Sequence, residues 1–371
     1  MTDVVIVGAG LIGMLTAREL HAAGMRVTLI ERGDSGRESS WAGGGILSPL
    51  YPWRYPDAVN ELARWGQQRY PELLAEIHAQ SGLDPEYERS GLLILDDDND
   101  TAIQAWAQRF GANLERVDAK QQRELEPALA VPSTSGWWLP DVGQVRNPRL
   151  VKSLRAALDR LGVQFIEHCT VSGFRRAGEG VAGVETDNGF IAAEHVVVAS
   201  GAWSGELLQS TGLALPVEPV RGQMILFRGQ PGEVRHIVLD EGRYVIPRRD
   251  GRTLVGSTLE RVGFDKSTTA SALAELHAAA IRLMPALAKR EVEHHWAGLR
   301  PGSPLGVPCI ARHPQLNNVY INAGQYRNGV VLGPASARLL ADLVLGRPAI
   351  LNSAWFSPDK IGTGPDQLQN G

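Results

Sequence analysis

The stretch Val4-Val5-Ile6-Val7-Gly8-Ala9-Gly10-Leu11-Ile12-Gly13 decides the fold of this chain. Its four consecutive apolar residues predict a short strand that is buried on both faces of a parallel sheet. The glycines that follow have the G-x-G-x-x-G spacing of a turn between a strand and a helix. A helical pattern then runs from Leu11 to Gly24, and residues 26–30 form a second apolar run. The chain therefore begins with a predicted βαβ unit, whose crossover should be right-handed.

This unit has the features of a dinucleotide-binding site. Gly8 permits the tight turn, Gly10 lets the backbone approach a pyrophosphate, and Gly13 lets helix and strand pack closely. The helix N-terminus adds unpaired N–H donors for the phosphates. Glu31, at the end of the second strand, can accept hydrogen bonds from an adenosine ribose. An acid at this place argues against a 2′-phosphate, so the motif leaves NAD and FAD open.

A second run of small residues follows, Ser39-Ser40-Trp41-Ala42-Gly43-Gly44-Gly45-Ile46-Leu47. Three successive glycines suit a backbone that presses against a flat ring or a phosphate. A flexible linker is the alternative interpretation, since Gly and Ser also dominate linkers. The run favours FAD, because a nicotinamide-dependent reductase built on the same βαβ unit would have no use for it.

The composition is typical of a compact enzyme. There are 37 Lys and Arg against 41 Asp and Glu, so nucleic acid and anionic membrane surfaces are disfavoured as partners. Cys169 and Cys309 are too few for a disulfide framework and predict two buried thiols in a reducing compartment. The first residues lack the features of a signal peptide, and no apolar run reaches the roughly 18 residues of a membrane span. We therefore expect a cytoplasmic protein.

The rest of the chain alternates between two patterns. Helices are predicted at 57–80, broken by Pro71, and at 101–110, 148–161, 270–284 and from 324 to 345. Strands in a parallel context are predicted at 163–167, 180–186, 194–199 and 319–322. Runs with turn signals between them predict an antiparallel sheet at 217–227, 235–239, 243–246 and 253–255.

These patterns predict an α/β fold with two interleaved domains. A discontinuous, Rossmann-like dinucleotide-binding domain is expected at 1–80, 141–214 and 300–358. An α+β substrate domain, built on a mostly antiparallel sheet, is expected at 81–140 and 215–299. Residues 359–371 are expected to form a disordered tail.

Further motifs occur in order along the chain: 140–145 (PDVGQV), 199–204 (ASGAWS), 219–223 (PVRGQ), 244–248 (YVIPR), 298–301 (GLRP) and 324–329 (GQYRNG). With the two glycine clusters and Glu31-Arg32, they make residues 1–357 resemble the family of FAD-dependent glycine oxidases and D-amino acid oxidases. The bacterial glycine oxidases are the most similar members.

The resemblance implies non-covalent FAD. It assigns the pyrophosphate to Gly8, Gly10, Leu11, Ile12 and Gly13, and the adenosine end to Glu31, Arg32 and the backbone of Val171. It assigns the diphosphate and flavin to Ser39, Ser40, Gly44, Gly45 and Ile46, and the pyrimidine edge to Gln325, Tyr326, Arg327, Asn328, Gly329, Val330 and Val331. A helix that begins near Val330 would direct its positive end at flavin N1 and the C2 carbonyl.

The resemblance also implies a catalytic site. Arg300 would hold a substrate carboxylate through two parallel hydrogen bonds, Tyr244 would donate a third, and Arg327 would lie close by. The implied reaction passes hydride from Cα of glycine, sarcosine or a small D-amino acid to flavin N5, and the imine then hydrolyses. Reoxidation by O₂ gives hydrogen peroxide. A dehydrogenase that passes electrons to a respiratory quinone is the alternative, and a non-catalytic dinucleotide-binding protein is a more distant one.

Three positions depart from the family pattern. Leu259 stands where glycine oxidases carry Met and Ser48 where they carry Gly, which leaves the preferred amino acid open. Cys309 does not match the cysteine that links FAD covalently in related sarcosine oxidases. The sequence also leaves open whether the chain forms a homo-oligomer and whether its imine product enters a thiamin-thiazole pathway.

Two other constellations are rejected as metal sites. His294 and His295 are adjacent, so their side chains point apart, and no third ligand follows with zinc spacing. The run from Asp96 to Asp100 resembles a calcium loop but has Thr101 where Gly is needed. We interpret it as a solvated turn that caps a helix.

Overall fold

The computed structural model describes residues 2–95, 99–130 and 133–361. Helices in these ranges are α1 (Leu11–Ala22), α2 (Ser39–Ala42), α3 (Asp57–Ser81), α4 (Asp100–Phe110), α5 (Ala119–Leu125), α6 (Asn147–Arg160), α7 (Ser204–Gln209), α8 (Ala270–Leu283) and α9 (Gly329–Val344).

The early strands are β1 (Thr2–Val7), β2 (Val27–Ile30), β3 (Glu88–Arg89), β4 (Leu92–Ile94), β5 (Glu115–Asp118), β6 (Ser135–Leu139), β7 (Gly143–Gln144), β8 (Gln164–Ile166) and β9 (Val171–Ala177). The later strands are β10 (Gly180–Thr186), β11 (Gly189–Val198), β12 (Glu218–Phe227), β13 (Ile237–Asp240), β14 (Arg243–Pro247), β15 (Thr253–Gly256), β16 (Val292–Gly302), β17 (Cys309–Arg312) and β18 (Val319–Ala323).

The first sheet is built around the predicted βαβ unit. Its order is β17-β18-β11-β1-β2-β8, with β10 and β9 continuing from β11. Strands β18, β11, β1, β2 and β8 run parallel, and β1 and β2 are in register from Val4 with Val27. All four residues of β2 are buried, as a strand covered on both faces requires. The prediction of a Rossmann-like sheet is confirmed.

The second sheet has the order β16-β12-β15-β14-β13-β4-β6-β5 and is antiparallel except between β13 and β4. Alternate residues of β14 face opposite sides. Val245 packs in the cluster that α8 covers, whereas Tyr244 and Ile246 belong to the cluster on the other side. A mostly antiparallel second sheet was predicted and is confirmed. Strand β16 crosses residue 300, one of the predicted domain bounds, and those bounds stay a prediction.

Helix α3 corrects one expectation, because it continues through Pro71 as a single helix. A proline inside a helix removes a hydrogen bond and costs roughly 3 kcal/mol. Residues on both sides of Pro71 are buried, including Leu62, Tyr70 and Ile77, so apolar packing offsets that cost.

Pro334 lies inside α9, where a neighbouring side chain replaces the hydrogen bond that the proline removes. Its ring nitrogen cannot donate to the carbonyl of Val330, four residues earlier. The hydroxyl of Tyr70 donates to that oxygen instead, at 2.6 Å. Next to it, the crossing of α3 and α9 is close because Gly66 has no side chain, and a Cβ there would lie 2.0 Å from the Val331 carbonyl oxygen.

Both cysteines are free and buried, as predicted. Burial raises the pKa of the Cys309 thiol well above its usual range. Asn99 caps α4 through a hydrogen bond from the Ala102 amide, but residues 96–98 of the rejected calcium loop lie outside the described ranges. In the predicted tail, Ile361 is buried and residues 362–371 are not described.

Candidate active site

A cavity of about 530 Å³ is lined by residues of both large sheets. Twenty residues predicted to bind cofactor or substrate line it: Gly8, Gly10, Leu11, Ile12, Glu31, Arg32, Ser39, Ser40, Gly44, Gly45, Ile46, Val171, Tyr244, Arg300, Gln325, Tyr326, Arg327, Asn328, Gly329 and Val330. Gly13 and Val331 are not among the lining residues. Gly13 packs beneath the turn, and Val331 is buried in the core.

The turn before α1 forms because its glycines allow contacts that no other residue permits. Gly8 has φ +105°, and a Cβ there would lie 2.5 Å from the Ala199 carbonyl oxygen. At Gly13 a Cβ would lie 1.9 Å from the Gly8 oxygen, so helix and strand are in direct contact. The Leu11 amide donates to Ser40 Oγ at 2.8 Å. Gly10, Leu11 and Ile12 line the cavity, so the partial positive charge of the α1 N-terminus faces it.

Glu31 supports the turn while it lines the cavity. One carboxylate oxygen accepts from the Ala9 amide at 2.9 Å, and the other accepts from the Gly33 amide at 3.2 Å. Each oxygen has a further lone pair available to a ligand hydroxyl.

Arg32 takes part in a set of side-chain contacts that the sequence did not predict. Its guanidinium lies 3.5 Å from the centre of the Trp203 ring, which stacks on Phe264 at 5.3 Å. Glu38 pairs with Arg32 at 3.2 Å and with Lys266 at 3.0 Å. The loop after β15 is thereby joined to the first sheet beside the cavity. Phe264 and Lys266 carry no sequence signal for this role, because it depends on the packing of distant segments.

The protein's own atoms restrict side chains at two glycines of the Gly43–Gly45 run. Gly45 has φ +81°, and a Cβ there would lie 2.0 Å from the Val145 carbonyl oxygen. A Cβ at Gly43 would lie 2.7 Å from Asn147 Nδ2. The Val145 backbone therefore requires glycine at position 45, and the Asn147 side chain restricts position 43. Gly44 differs, because its Cβ position faces Tyr244 and Ile246.

The turn before α9 forms the other end of the cavity. Tyr326 has a left-handed conformation, with φ +48°, and buried Gln325 donates to Asn322 Oδ1 at 2.7 Å. Asn328 Nδ2 is buried and has no hydrogen-bond partner among the described residues. That donor and the first amides of α9 can therefore serve an acceptor within the cavity.

Arg300 and Tyr244 meet where glycines leave room for them. A Cβ at Gly222 would lie 1.9 Å from an Arg300 guanidinium nitrogen, so this guanidinium lies directly against the β12 backbone. Arg300 donates to Ser257 Oγ at 2.7 Å and to the Thr258 carbonyl at 3.3 Å. The Tyr244 ring lies against Gly44 and Gly256.

The electrostatics at this end favour an anion. Burial lowers the pKa of Arg300, the Tyr244 oxygen opposes that effect, and nearby Arg327 lowers the pKa further. Two guanidinium groups within range of each other repel, and a carboxylate between them relieves that repulsion.

FAD fits this set of residues. Backbone donors at the α1 N-terminus suit a pyrophosphate, and Glu31 suits a ribose. The unpartnered Asn328 amide and the α9 N-terminus suit a polar ring edge. Sequence reasoning missed Gly222, Met224 and Ser257, which also line the cavity. For Gly222 the PVRGQ motif contained the signal, but its purpose depends on Arg300 in the neighbouring strand.

Within residues 2–95, 99–130 and 133–361, no group of three or more His, Cys, Asp or Glu side chains could hold a metal ion. No described helix is long and apolar enough to span a bilayer.

Comparisons with known proteins identify the family. A family model described as FAD dependent oxidoreductase (DAO) matches residues 3–343. The glycine oxidase of Pseudomonas aeruginosa is 50% identical over 96% of this chain and 98% of its own. The bifunctional protein ThiO/ThiG of Synechocystis is 34% identical over 98% of this chain and 54% of its own.

A solved structure agrees with the family match. The crystal structure of glycine oxidase from Geobacillus kaustophilus has a TM-score of 0.91 at 30% identity and covers 96% of this chain and 98% of that one. The chain therefore belongs to the family of FAD-dependent oxidoreductases that contains the glycine oxidases, and it is an FAD-dependent amine or amino acid oxidoreductase.

Proposed function

We propose that this chain catalyses the oxidative deamination of glycine, sarcosine and small D-amino acids. The observation that carries the proposal is the pairing of Arg300 with Tyr244 at the cavity wall formed by Gly44 and Gly222. A planar guanidinium holds a carboxylate in one orientation, and a tyrosine hydroxyl adds a third hydrogen bond. Arg327, on the same cavity, strengthens the attraction for an anion.

The cofactor is FAD, and we propose that the predicted residues hold it. Gly8, Gly10, Leu11 and Ile12 would hold the pyrophosphate, Glu31, Arg32 and Val171 the adenosine end, and Ser39, Ser40 and the 44–46 backbone the diphosphate and flavin. Residues 325–330 would hold the pyrimidine edge. When bound, FAD supplies the electron acceptor that takes hydride from the substrate Cα and returns the electrons to O₂ as hydrogen peroxide.

The chain itself contributes orientation. Among the described residues that line the cavity, the carboxylates are Glu31, Glu38 and Glu206, and no histidine lines it. None of these carboxylates is hydrogen bonded to Arg300 or Tyr244. This arrangement supports a reaction without a protein base, in which the lone pair of the neutral substrate amine assists departure of the hydride. The rate at low substrate concentration should therefore rise with pH as the amine loses its proton.

The amino acid, O₂ and water account for all atoms and electrons of the overall reaction. The amino acid loses two electrons and two protons to become an imine, and O₂ gains them to become hydrogen peroxide. Water then hydrolyses the imine to a 2-oxo acid and ammonia, or an amine in the case of sarcosine. The likeness to ThiO/ThiG supports the further proposal that the product serves thiamine biosynthesis.

The first experiment separates the oxidase from a quinone-linked dehydrogenase. The purified protein with FAD is mixed with glycine in air, and hydrogen peroxide and oxygen uptake are followed. Equal amounts of peroxide and 2-oxo acid support an oxidase. Reduction of a soluble quinone analogue without peroxide would support the dehydrogenase. A protein that retains no FAD after gel filtration would overturn both.

The second experiment tests the substrate anchor. Arg300→Ala should raise KM for glycine by roughly 10- to 100-fold, the value of one or two charge-assisted hydrogen bonds. Arg123→Ala, a substitution of an exposed arginine, is the matched control and should leave KM unchanged. If both variants have the KM of the wild type, Arg300 does not hold the substrate.

A further inference from the structure

Arg248 is a buried cation that forms its hydrogen bonds with neutral acceptors. It follows directly after β14, and only 8% of its surface is exposed. Its guanidinium donates to the Gly44 carbonyl at 2.7 Å, to Gln144 Oε1 at 2.7 Å and to the Val145 carbonyl at 3.1 Å. Among the described residues, no carboxylate forms an ion pair with it. Burial lowers the pKa of Arg248 to about 10, so the group stays charged at neutral pH.

These three hydrogen bonds join the glycine run to the segment that packs behind it. The two segments also pair through their backbones, since the Val145 amide donates to the Gly45 carbonyl and the Leu47 amide donates to the Gly143 carbonyl, both at 2.9 Å. Gln144 is held in turn by Ser90, at 2.9 Å. The guanidinium therefore cross-links Gly44 to a fixed part of the protein.

Strand β14, which directly precedes Arg248, also contacts Gly44 on the side of the proposed substrate anchor. A Cβ at Gly44 would lie 3.0 Å from Ile246 Cδ1 and 3.3 Å from Tyr244 Cε2. Tyr244 and Ile246 share one face of β14, and Arg248 is the next alternate residue. Three alternate side chains thus meet one glycine, and the first of them belongs to the proposed substrate anchor.

We propose that Arg248 is a positioning residue, which holds the Gly43–Ile46 run against Tyr244 and so sets the spacing between the flavin-facing backbone and the substrate anchor. The inference rests on the proposed placement of the flavin against this run. Arg248 is not assigned a contact with substrate or cofactor, and its effect passes through Gly44.

The test compares Arg248→Met with Arg249→Met in the FAD-loaded enzyme. Arg249 is the adjacent residue, but its side chain is 50% exposed and pairs with Asp84 and Glu88 at the surface. We expect Arg248→Met to lower kcat by roughly 10- to 100-fold, the cost of a misplacement of about 1 Å. KM for glycine should change by less than about three-fold, because Arg300 and Tyr244 still bind the carboxylate.

Two further readouts do not depend on turnover. The visible absorption spectrum of bound FAD should shift in Arg248→Met, and FAD should dissociate faster, as followed by the recovery of flavin fluorescence after dilution. Arg249→Met should match the wild type in both. If Arg248→Met matches Arg249→Met in kcat, spectrum and FAD dissociation, the proposal is overturned. A higher KM with an unchanged kcat would also overturn it.

Arg248→Lys decides the question if the methionine variant does not fold. Lysine keeps the charge but cannot reach all three acceptors with the geometry of a guanidinium. We expect it to fold, to lose FAD faster than the wild type and to have a lower kcat. Wild-type values for Arg248→Lys in all three measurements would overturn the proposal. Since the wild type is measured in parallel, failure of the proposed oxidase activity would be recognised separately.

Discussion

The two glycine clusters of the cavity, 8–13 and 43–45, contain three glycines each, but different contacts require them. In the first, Gly13 packs against the carbonyl of Gly8 within one βαβ unit, although Gly8 itself also lies against the distant Ala199 carbonyl. In the second, the contacts are with Val145 and Asn147, a long way along the chain. A glycine motif can therefore be interpreted from sequence where its partners lie within the motif. Where the contacting residues are distant in sequence, the motif indicates only that a side chain does not fit at that position.

The largest effect that tests this comparison is expected for Gly45→Ala. The new Cβ would lie 2.0 Å from a backbone oxygen, and φ +81° disfavours alanine as well. Steric overlap and the left-handed conformation together should lower the free energy of unfolding by about 3 kcal/mol or more. Urea denaturation of the FAD-free protein measures it. If only the FAD-bound form is destabilised, the run is shaped by its ligand, as the sequence had suggested.

Gly13→Ala should have the next largest effect. Its Cβ would lie 1.9 Å from the Gly8 oxygen, but its φ is unstrained, so only the steric cost applies. We expect a loss of about 2–3 kcal/mol, with weaker FAD binding because the α1 N-terminus moves. Denaturation and flavin fluorescence titration measure the two effects. FAD affinity equal to that of the wild type would show that this helix end does not hold the cofactor.

Gly44→Ala should be milder in stability and more selective in function. The nearest atoms are side-chain atoms of Ile246 and Tyr244, at 3.0 and 3.3 Å, which can move where a backbone cannot. We expect a loss of about 1–2 kcal/mol and a higher KM for glycine, since Tyr244 is displaced. Steady-state kinetics with glycine provide the measurement, and an unchanged KM would separate Tyr244 from the substrate.

The smallest effect is expected for Gly24→Ala, which isolates the conformational cost. Gly24 has φ +89°, and no atom of the described residues lies within 4 Å of a Cβ position there. The cost should be about 1 kcal/mol, with FAD affinity and KM unchanged. Equal losses for Gly24→Ala and Gly45→Ala in urea denaturation would mean that backbone conformation, rather than contact, determines both.

Much of the fold could be predicted because its signals are local. The βαβ unit, α4, α6, α8 and the antiparallel strands β12 to β15 follow periodicity and turn residues within short windows. Strand β16 was not predicted, because Gly298, Pro301 and Gly302 weaken any strand pattern of its own. It forms because β12 pairs with it along its length, with Gly222 opposite Gly298.

The candidate site also has a part that local sequence signals predict and a part that they do not. The predicted lining residues come from motifs, and their arrangement around one cavity follows from the fold. The stack of Trp203 on Phe264 and the cross-link made by Arg248 could not be predicted, since each joins segments that only tertiary packing brings together. Pro71 shows the opposite error, because a local rule predicted a break that burial on both sides of the residue overrides.

The strand order of the first sheet also determines when that sheet can assemble during synthesis of the chain. Strand β1 is made before its neighbour β11 and the next strand β18, which come much later in the chain. Helix α9, which packs on α1 with Gly333 against Leu15, is later still. On the ribosome, the opening βαβ unit must therefore wait with one edge unpaired, and the cofactor cradle closes only after residue 329 has emerged.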